Sequence, residues 1–141
     1  MEKLSKNIAE FNRIAREIDA AYHLCSLKMG LSDSERDILY ILSQEAVSQS
    51  DIVNMTGISK QTINSSVQKM IKDGYLEPLK GSKREPLILT GKGLQHISNT
   101  VEKLIHIENK IFSAWSDKAQ KDFIDLNKKY HEMFMKELDN L

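Results

Sequence analysis

Two short helical segments on either side of one glycine constrain this chain more than any other feature. Ser48 opens the first segment. Its hydroxyl can accept from amides left free at a helix start, and Asp51, three residues on, can reach back to the Ser48 amide. Ile52, Val53 and Met55 follow, Gly57 breaks the run, and Ser59 caps a second segment that ends near Asp73-Gly74. Ile63, Val67, Met70 and Ile71 share one face of that second segment. Two helices this short have little surface to spare, so Ile52, Val53, Ile58, Ile63 and Val67 are expected to pack against one another where they cross.

That layout is a helix-turn-helix, and the outer face of its second helix has an unusual composition. It carries Lys60, Gln61, Asn64, Ser65, Gln68 and Lys72, with Ser59 and Thr62 at its start and no acidic residue before Asp73. An exposed helix face that serves only solubility tends to pair Glu with Lys four apart. Uncharged amides and hydroxyls between cations instead suit the donor and acceptor edges of the DNA major groove, where Asn or Gln can pair with adenine through two bonds. The net charge of the chain is zero, yet Ser59–Lys92 holds seven basic residues against three acidic ones. A local surplus of this kind can attract phosphates.

The surrounding elements complete a mainly α fold. A first helix is expected over Leu4–Met29, with Leu4, Ile8, Phe11, Ala15, Ile18, Tyr22 and Cys25 stepping by four and three, until Gly30 ends it. Ser32 caps a second helix, with Glu35 placed to reach back to it, which runs to Gln44-Glu45. After Gly74, Tyr75–Lys80 and Pro86–Leu89 read as two short strands around a basic turn, and Pro78 and Pro86 confine them to a small hairpin. Thr90 then caps one long helix reaching Trp115, and a last helix follows Ser116-Asp117 with Phe123, Leu126, Tyr130, Phe134, Leu138 and Leu141 on one side. The spacing thus predicts about six helices and a two-stranded wing. The wing tip, Lys83-Arg84 beside Lys80, could meet phosphates or an adjacent minor groove.

Several function classes find no support. No apolar run approaches the roughly 18 residues of a membrane span. The charged start Met1-Glu2-Lys3 does not read as a signal peptide, so a cytoplasmic setting is expected. A single cysteine, Cys25, excludes an internal disulfide and is expected to be a buried, inert thiol. His23, His96, His106 and His131 include no pair four apart on a helix, so no metal site is expected. Nothing resembles a phosphate loop or a nucleophile-and-base motif, so no enzyme activity and no cofactor are expected.

The runs Ser48-Gln49-Ser50-Asp51-Ile52-Val53, Ile58-Ser59-Lys60-Gln61-Thr62-Ile63, Ile71-Lys72-Asp73-Gly74-Tyr75-Leu76-Glu77 and Leu89-Thr90-Gly91-Lys92-Gly93 together resemble the MarR (multiple antibiotic resistance regulator) family. The resemblance is sharpest between Ser32 and Gly93, and the Leu-Thr-x-Lys-Gly run after the wing is its most telling piece. It implies a winged helix-turn-helix over 32–93 and a helical dimerisation region from 1–31 and 94–141. It also implies a homodimer on a pseudo-palindromic operator in double-stranded DNA, commonly a repressor relieved by a small ligand or oxidant. Arg84 matches the wing-tip arginine, whereas Ser82 stands where the family usually has an acidic residue.

On this reading Ser59, Lys60, Gln61, Thr62, Asn64, Ser65, Gln68, Lys72, Lys83 and Arg84 are the candidate DNA contacts. Leu4, Ile8, Phe11, Ile18, Phe123, Tyr130, Phe134 and Leu138 are the candidate dimer contacts, because the terminal helices carry more apolar surface than one domain can cover. Tyr22, His23, Tyr40 and His106 are the candidates for holding a small-molecule effector, with core packing of the two tyrosines as the plainer role. A winged helix that binds another protein rather than DNA is the alternative.

Overall fold

The computed structural model describes residues 1–141. Its elements follow from their caps. Helices α1 (Lys6–Met29), α2 (Asp33–Gln44), α3 (Gln49–Thr56), α4 (Lys60–Lys72), α5 (Gly91–Asn99) and α7 (Asp117–Leu138) each start behind a serine or threonine whose hydroxyl accepts from a backbone amide three residues on. Only α6 (Val101–Ser113) lacks such a cap. At α3 the reciprocal arrangement is complete: Asp51 N donates to Ser48 Oγ, and Ser48 N donates to the Asp51 carboxylate, both at 3.0 Å. Hydrogen bonding from the Ser48 backbone amide, and secondly from the Ser48 side chain, holds the Asp51 carboxyl below the usual range.

The chain divides into two compact units, Met1–Leu104 and Ile105–Leu141. The core of the first unit is built where α2, α3 and α4 meet. Ile38, Leu39, Ile52, Ile63, Val67 and Val101 are fully buried there, with Met70 and Leu76 nearly so. Between α2 and α4 two small side chains allow close approach, and Ser34 Oγ and Ser66 Oγ share a buried hydrogen bond of 2.6 Å. Gly57 takes a left-handed φ of 70° between α3 and α4, a conformation that a side chain would strain. Along α1, Phe11 and Ile18 remain exposed, while Ile8, Ala15, Tyr22 and Cys25 are half-buried.

Three expectations change on contact with the structure. Glu35 does not reach back to Ser32. Its carboxylate lies almost fully buried between α2 and α4 and takes a 2.8 Å ion pair from Lys69, so only the Ser32 half of that cap forms, at 3.1 Å to the Glu35 amide. The long helix after the wing is two helices. Thr100 breaks it at φ −124°, ψ −95°, and its hydroxyl bonds the His96 carbonyl at 2.6 Å in place of a helical amide. Seven helices therefore replace the expected six.

The wing, third, is thinner than two regular strands. It is pinned by an antiparallel bridge between Leu76 and Leu89, and a second bridge joins Ser48 to Pro86. Glu77 N donates to the Ile88 carbonyl at 2.9 Å, and Leu87 N to the Val47 carbonyl at 2.8 Å. The exposed prolines Pro78 and Pro86 have no amide with which to extend either pairing. At the wing's exit Gly93 is required by space: a Cβ there would stand 2.1 Å from the Tyr75 carbonyl oxygen.

The second unit is made of the rest of α6 and of α7. Phe123 meets Phe112 and Trp115 edge to face at the turn between them, and those two rings are tilted against each other, with centroids 5.1–5.8 Å apart. Gln120 Nε2 donates to the Phe112 and Trp115 carbonyls, closing the end of α6. No residue of α7 is buried.

The core predicts a cost of about 2–5 kcal/mol for Ile63→Ala, measured by chemical denaturation, because its side chain has no exposed surface and leaves a cavity. A pH effect follows from His96, whose ring stacks on Tyr75 with centroids 4.0 Å apart. Burial lowers its pKa; Lys92 and Lys69 push the same way, and Glu35 and Asp73 oppose them. Above the ordinary imidazole value of 6.5 His96 is neutral in both folded and unfolded chains, and its contribution to stability is whole. Below that value the unfolded chain takes up the proton first, so stability falls until the folded residue also protonates. Thermal melts between about pH 7.5 and about pH 5.5 should therefore show a smaller loss for His96→Phe than for the wild type.

Candidate nucleic-acid interface

Because Ile63, Ser66, Val67 and Met70 face the core, the rest of α4 must face outward. Lys60, Gln61, Thr62, Ser65, Gln68 and Lys72 are exposed, and Asn64 is half-buried. The sequence-derived face is thus presented as one surface, though not every side chain on it is free. Ser59 and Thr62 form a cap pair, their hydroxyls 2.9 Å apart, with Ser59 Oγ also accepting from the Thr62 amide at 3.2 Å. Asn64 Oδ1 accepts from Gln49 Nε2 at 3.2 Å. Lys69 is spent on Glu35, and that hydrogen bond raises its pKa.

The wing tip stands against the start of α3. Both the amide and the hydroxyl of Ser50 donate to the Lys83 carbonyl, each at 3.1 Å, and Arg84 N donates to Ser82 Oγ at 3.2 Å. An open cleft of about 380 Å³ lies here, lined by Lys60 from α4, Lys83 and Arg84 from the wing, and Gln49, Ser50, Val53 and Asn54 from α3. Lys60 and the adjacent pair Lys83 and Arg84, more than twenty positions further along the sequence, border one concavity that has no acidic lining residue. Such a surface suits a phosphate backbone, with amide and hydroxyl groups alongside for base edges. Lys80, by contrast, lines a small separate hollow with Glu77 and Glu85.

Sequence reasoning missed the α3 side of this cleft. Gln49, Ser50 and Asn54 read as parts of a capped helix, and only the pairing of Ser50 with Lys83 reveals that α3 supports the wing tip. The bridge from Ser48 to Pro86 was equally hidden, since an isolated pair leaves no alternating pattern.

The effector candidates are distributed more loosely. Tyr22 lies at the α1–α2 junction with the Arg36 guanidinium 5.5 Å from its ring centre, and His23 Nδ1 is 2.8 Å from the Asp33 carboxylate. Tyr40 is half-buried and packs on the core, and His106 stands exposed on α6 in the second unit. No group of three His, Cys, Asp or Glu side chains is placed to hold a metal ion, and no helix is long and apolar enough to cross a membrane.

A helix pair joined by a glycine turn, an outward polar second helix and a short wing beside it make up a winged helix-turn-helix. The MarR family model matches residues 29–85, and over 120 residues the chain is 32% identical to the HTH-type transcriptional regulator PecS of Dickeya dadantii, covering 80% of this chain and 72% of that protein. The chain belongs to the MarR family of transcriptional regulators, and DNA-binding regulation is its class of function. Solved structures share the fold at lower identity. NMB1585, a MarR family regulator from Neisseria meningitidis, superposes with a TM-score of 0.81 at 20% identity, over 97% of this chain and all of that one. The Staphylococcus aureus MarR in complex with salicylate and kanamycin gives 0.69 at 18%, covering 93% of this chain and 91% of that one.

The cleft predicts that Arg84→Ala weakens binding about equally on cognate and random duplex and lowers the slope of log affinity against log salt by about 1. Titration at several salt concentrations checks this, and an unchanged slope would remove Arg84 from the phosphate contacts.

Proposed function

We propose that this protein is a ligand-responsive repressor that binds a pseudo-palindromic operator as a homodimer, one α4 in each of two successive major grooves. The observation that carries the reading is the acid-free outward face of α4, continuous with the cleft where Lys60, Lys83 and Arg84 converge. In this arrangement Lys60, Gln61, Asn64, Ser65 and Gln68 approach base edges. Lys72, Lys83 and Arg84 meet phosphates or the flanking minor groove, while Ser59 and Thr62 hold the start of the helix against the backbone.

The dimer rests on surface that each unit leaves uncovered. In the first unit Leu4, ahead of α1, and Phe11 and Ile18 on it are exposed; in the second, α7 exposes Phe123, Tyr130, Phe134 and Leu138. Phe134 is 52% exposed and Ile18 48%, values ill-suited to large apolar side chains at regular helical spacing unless another surface covers them. Ile8 is half-buried and joins the same seam. The dimerisation region accordingly comprises 1–31 and 94–141, around a reader at 32–93. Two half-sites one duplex turn apart, about 34–36 Å, call for two recognition helices on one body. As for the effector, the relative from Staphylococcus aureus is in complex with salicylate and kanamycin, and Tyr22, His23 and Tyr40 of this chain are the residues we assign to a comparable small molecule.

Two measurements test this reading. Electrophoretic retardation of duplex from the protein's own promoter should be retained at low salt and fall steeply toward moderate salt. Ile18→Asp and Phe134→Asp should each sediment as monomers and retard that duplex poorly, because a buried carboxylate in an apolar seam is strongly disfavoured. A wild-type chain that sediments as a monomer contradicts the dimer.

A further inference from the structure

Asn64 differs from the rest of the outward face of α4. It alone among the proposed base-reading residues is half-buried, and its Oδ1 is held by Gln49 Nε2 at 3.2 Å. Gln49 is the first residue of α3, only 3% exposed, and its own Oε1 accepts no hydrogen bond from the protein. An unpaired buried acceptor costs stability, so an apolar residue of the same size would serve the fold at least as well. What the Gln49 amide accomplishes is to fix the amide of its neighbour.

We propose that Gln49 determines which base edge Asn64 reads by holding Asn64 Oδ1 inward and leaving its Nδ2 as the group offered to the groove. This rests on the reading of α4 as the base-contacting helix. A free asparagine amide can turn over and present either a donor or an acceptor, and with both groups on one edge it pairs with adenine N6 and N7. Once Oδ1 is engaged, the outward group is a donor with no partner in the protein. Its complement is an acceptor edge: O6 and N7 of guanine or O4 of thymine offer acceptors alone, adenine N7 accepts beside its own N6 donor, and cytosine presents only the N4 donor. Asn64 therefore favours guanine or thymine, excludes cytosine, and gains least among the acceptors from adenine, whose N6 amino donor stands beside N7; Gln49 acts as a positioning residue that need not touch DNA to set that choice.

The test is selection of bound fragments from random duplex by the full-length chain, comparing wild type, Asn64→Ala, Gln49→Leu and Gln49→Glu. The position at which Asn64→Ala loses its preference is the one Asn64 reads. There the wild type should favour guanine or thymine by about three- to tenfold, the scale of one net hydrogen bond. Gln49→Glu offers only acceptors, so Asn64 must turn Nδ2 inward, and the preference should reverse toward the amino groups of adenine or cytosine. The cations lining the adjoining cleft favour that carboxylate. Gln49→Leu should flatten the preference without lowering the melting temperature, a combination that a merely structural role does not produce. Retention of the wild-type base by Gln49→Glu and Gln49→Leu would overturn the inference, as would a wild-type preference for adenine over guanine and thymine, which calls on Oδ1 to accept from adenine N6 as well as from Gln49. A wild type that retains no duplex at all overturns the assignment of α4 itself, and that outcome is distinct from any change in base preference.

Discussion

The contact on which this structure depends is the burial of one face of α4 against α2 and α3. Ile63, Val67 and Met70 have almost no exposed surface, and each such side chain contributes about 1.5–3 kcal/mol relative to exposure. Since successive helical residues are separated by roughly 100°, turning α4 by one position would expose these groups and bury amides and lysines instead. The outer face is thus dictated by the inner one. Whatever α4 does for function, its orientation is set by hydrophobic free energy and not by its polar residues.

Polar contacts then refine what burial has fixed. The Ser48–Asp51 cap sets where α3 starts, which places Ser50 under the wing tip and Gln49 beside Asn64. The Glu35–Lys69 pair ties α2 to the side of α4 and removes one cation from the surface available to phosphates. At the same, C-terminal end of α4, Lys92 donates to the Asp73 carbonyl and Thr90 to the Gly74 carbonyl, so the helix end and the wing's exit are held together. Each of these bonds is modest alone. Together they leave the wing and α4 little freedom to move apart.

Much of this was legible in the sequence because it is local. Serine caps, Gly57 and the spacing of Ile63, Val67 and Met70 depend on residues within one or two turns, and they gave the helices and the outward face of α4. The missed features are those decided across distance. Nothing within four residues of Glu35 announces that Lys69, 34 positions away, will take its carboxylate. The break at Thr100 turns on a threonine hydroxyl competing for a carbonyl, within a run whose apolar periodicity continues on both sides. The wing's strands were over-read because alternation and turn residues mark a hairpin without saying how many of its amides find partners. Gln49 was the least visible, since its significance lies wholly in one contact with a residue 15 positions on.

The most direct test of the central claim is methylation interference on a duplex recovered by selection. Dimethyl sulfate marks guanine N7 in the major groove and adenine N3 in the minor groove, so the two grooves report separately. If the outward face of α4 enters the major groove twice per dimer, methylation of guanine N7 should block binding at two clusters whose centres lie about 10 base pairs apart. Interference confined to adenine N3, or at a single cluster, would contradict it.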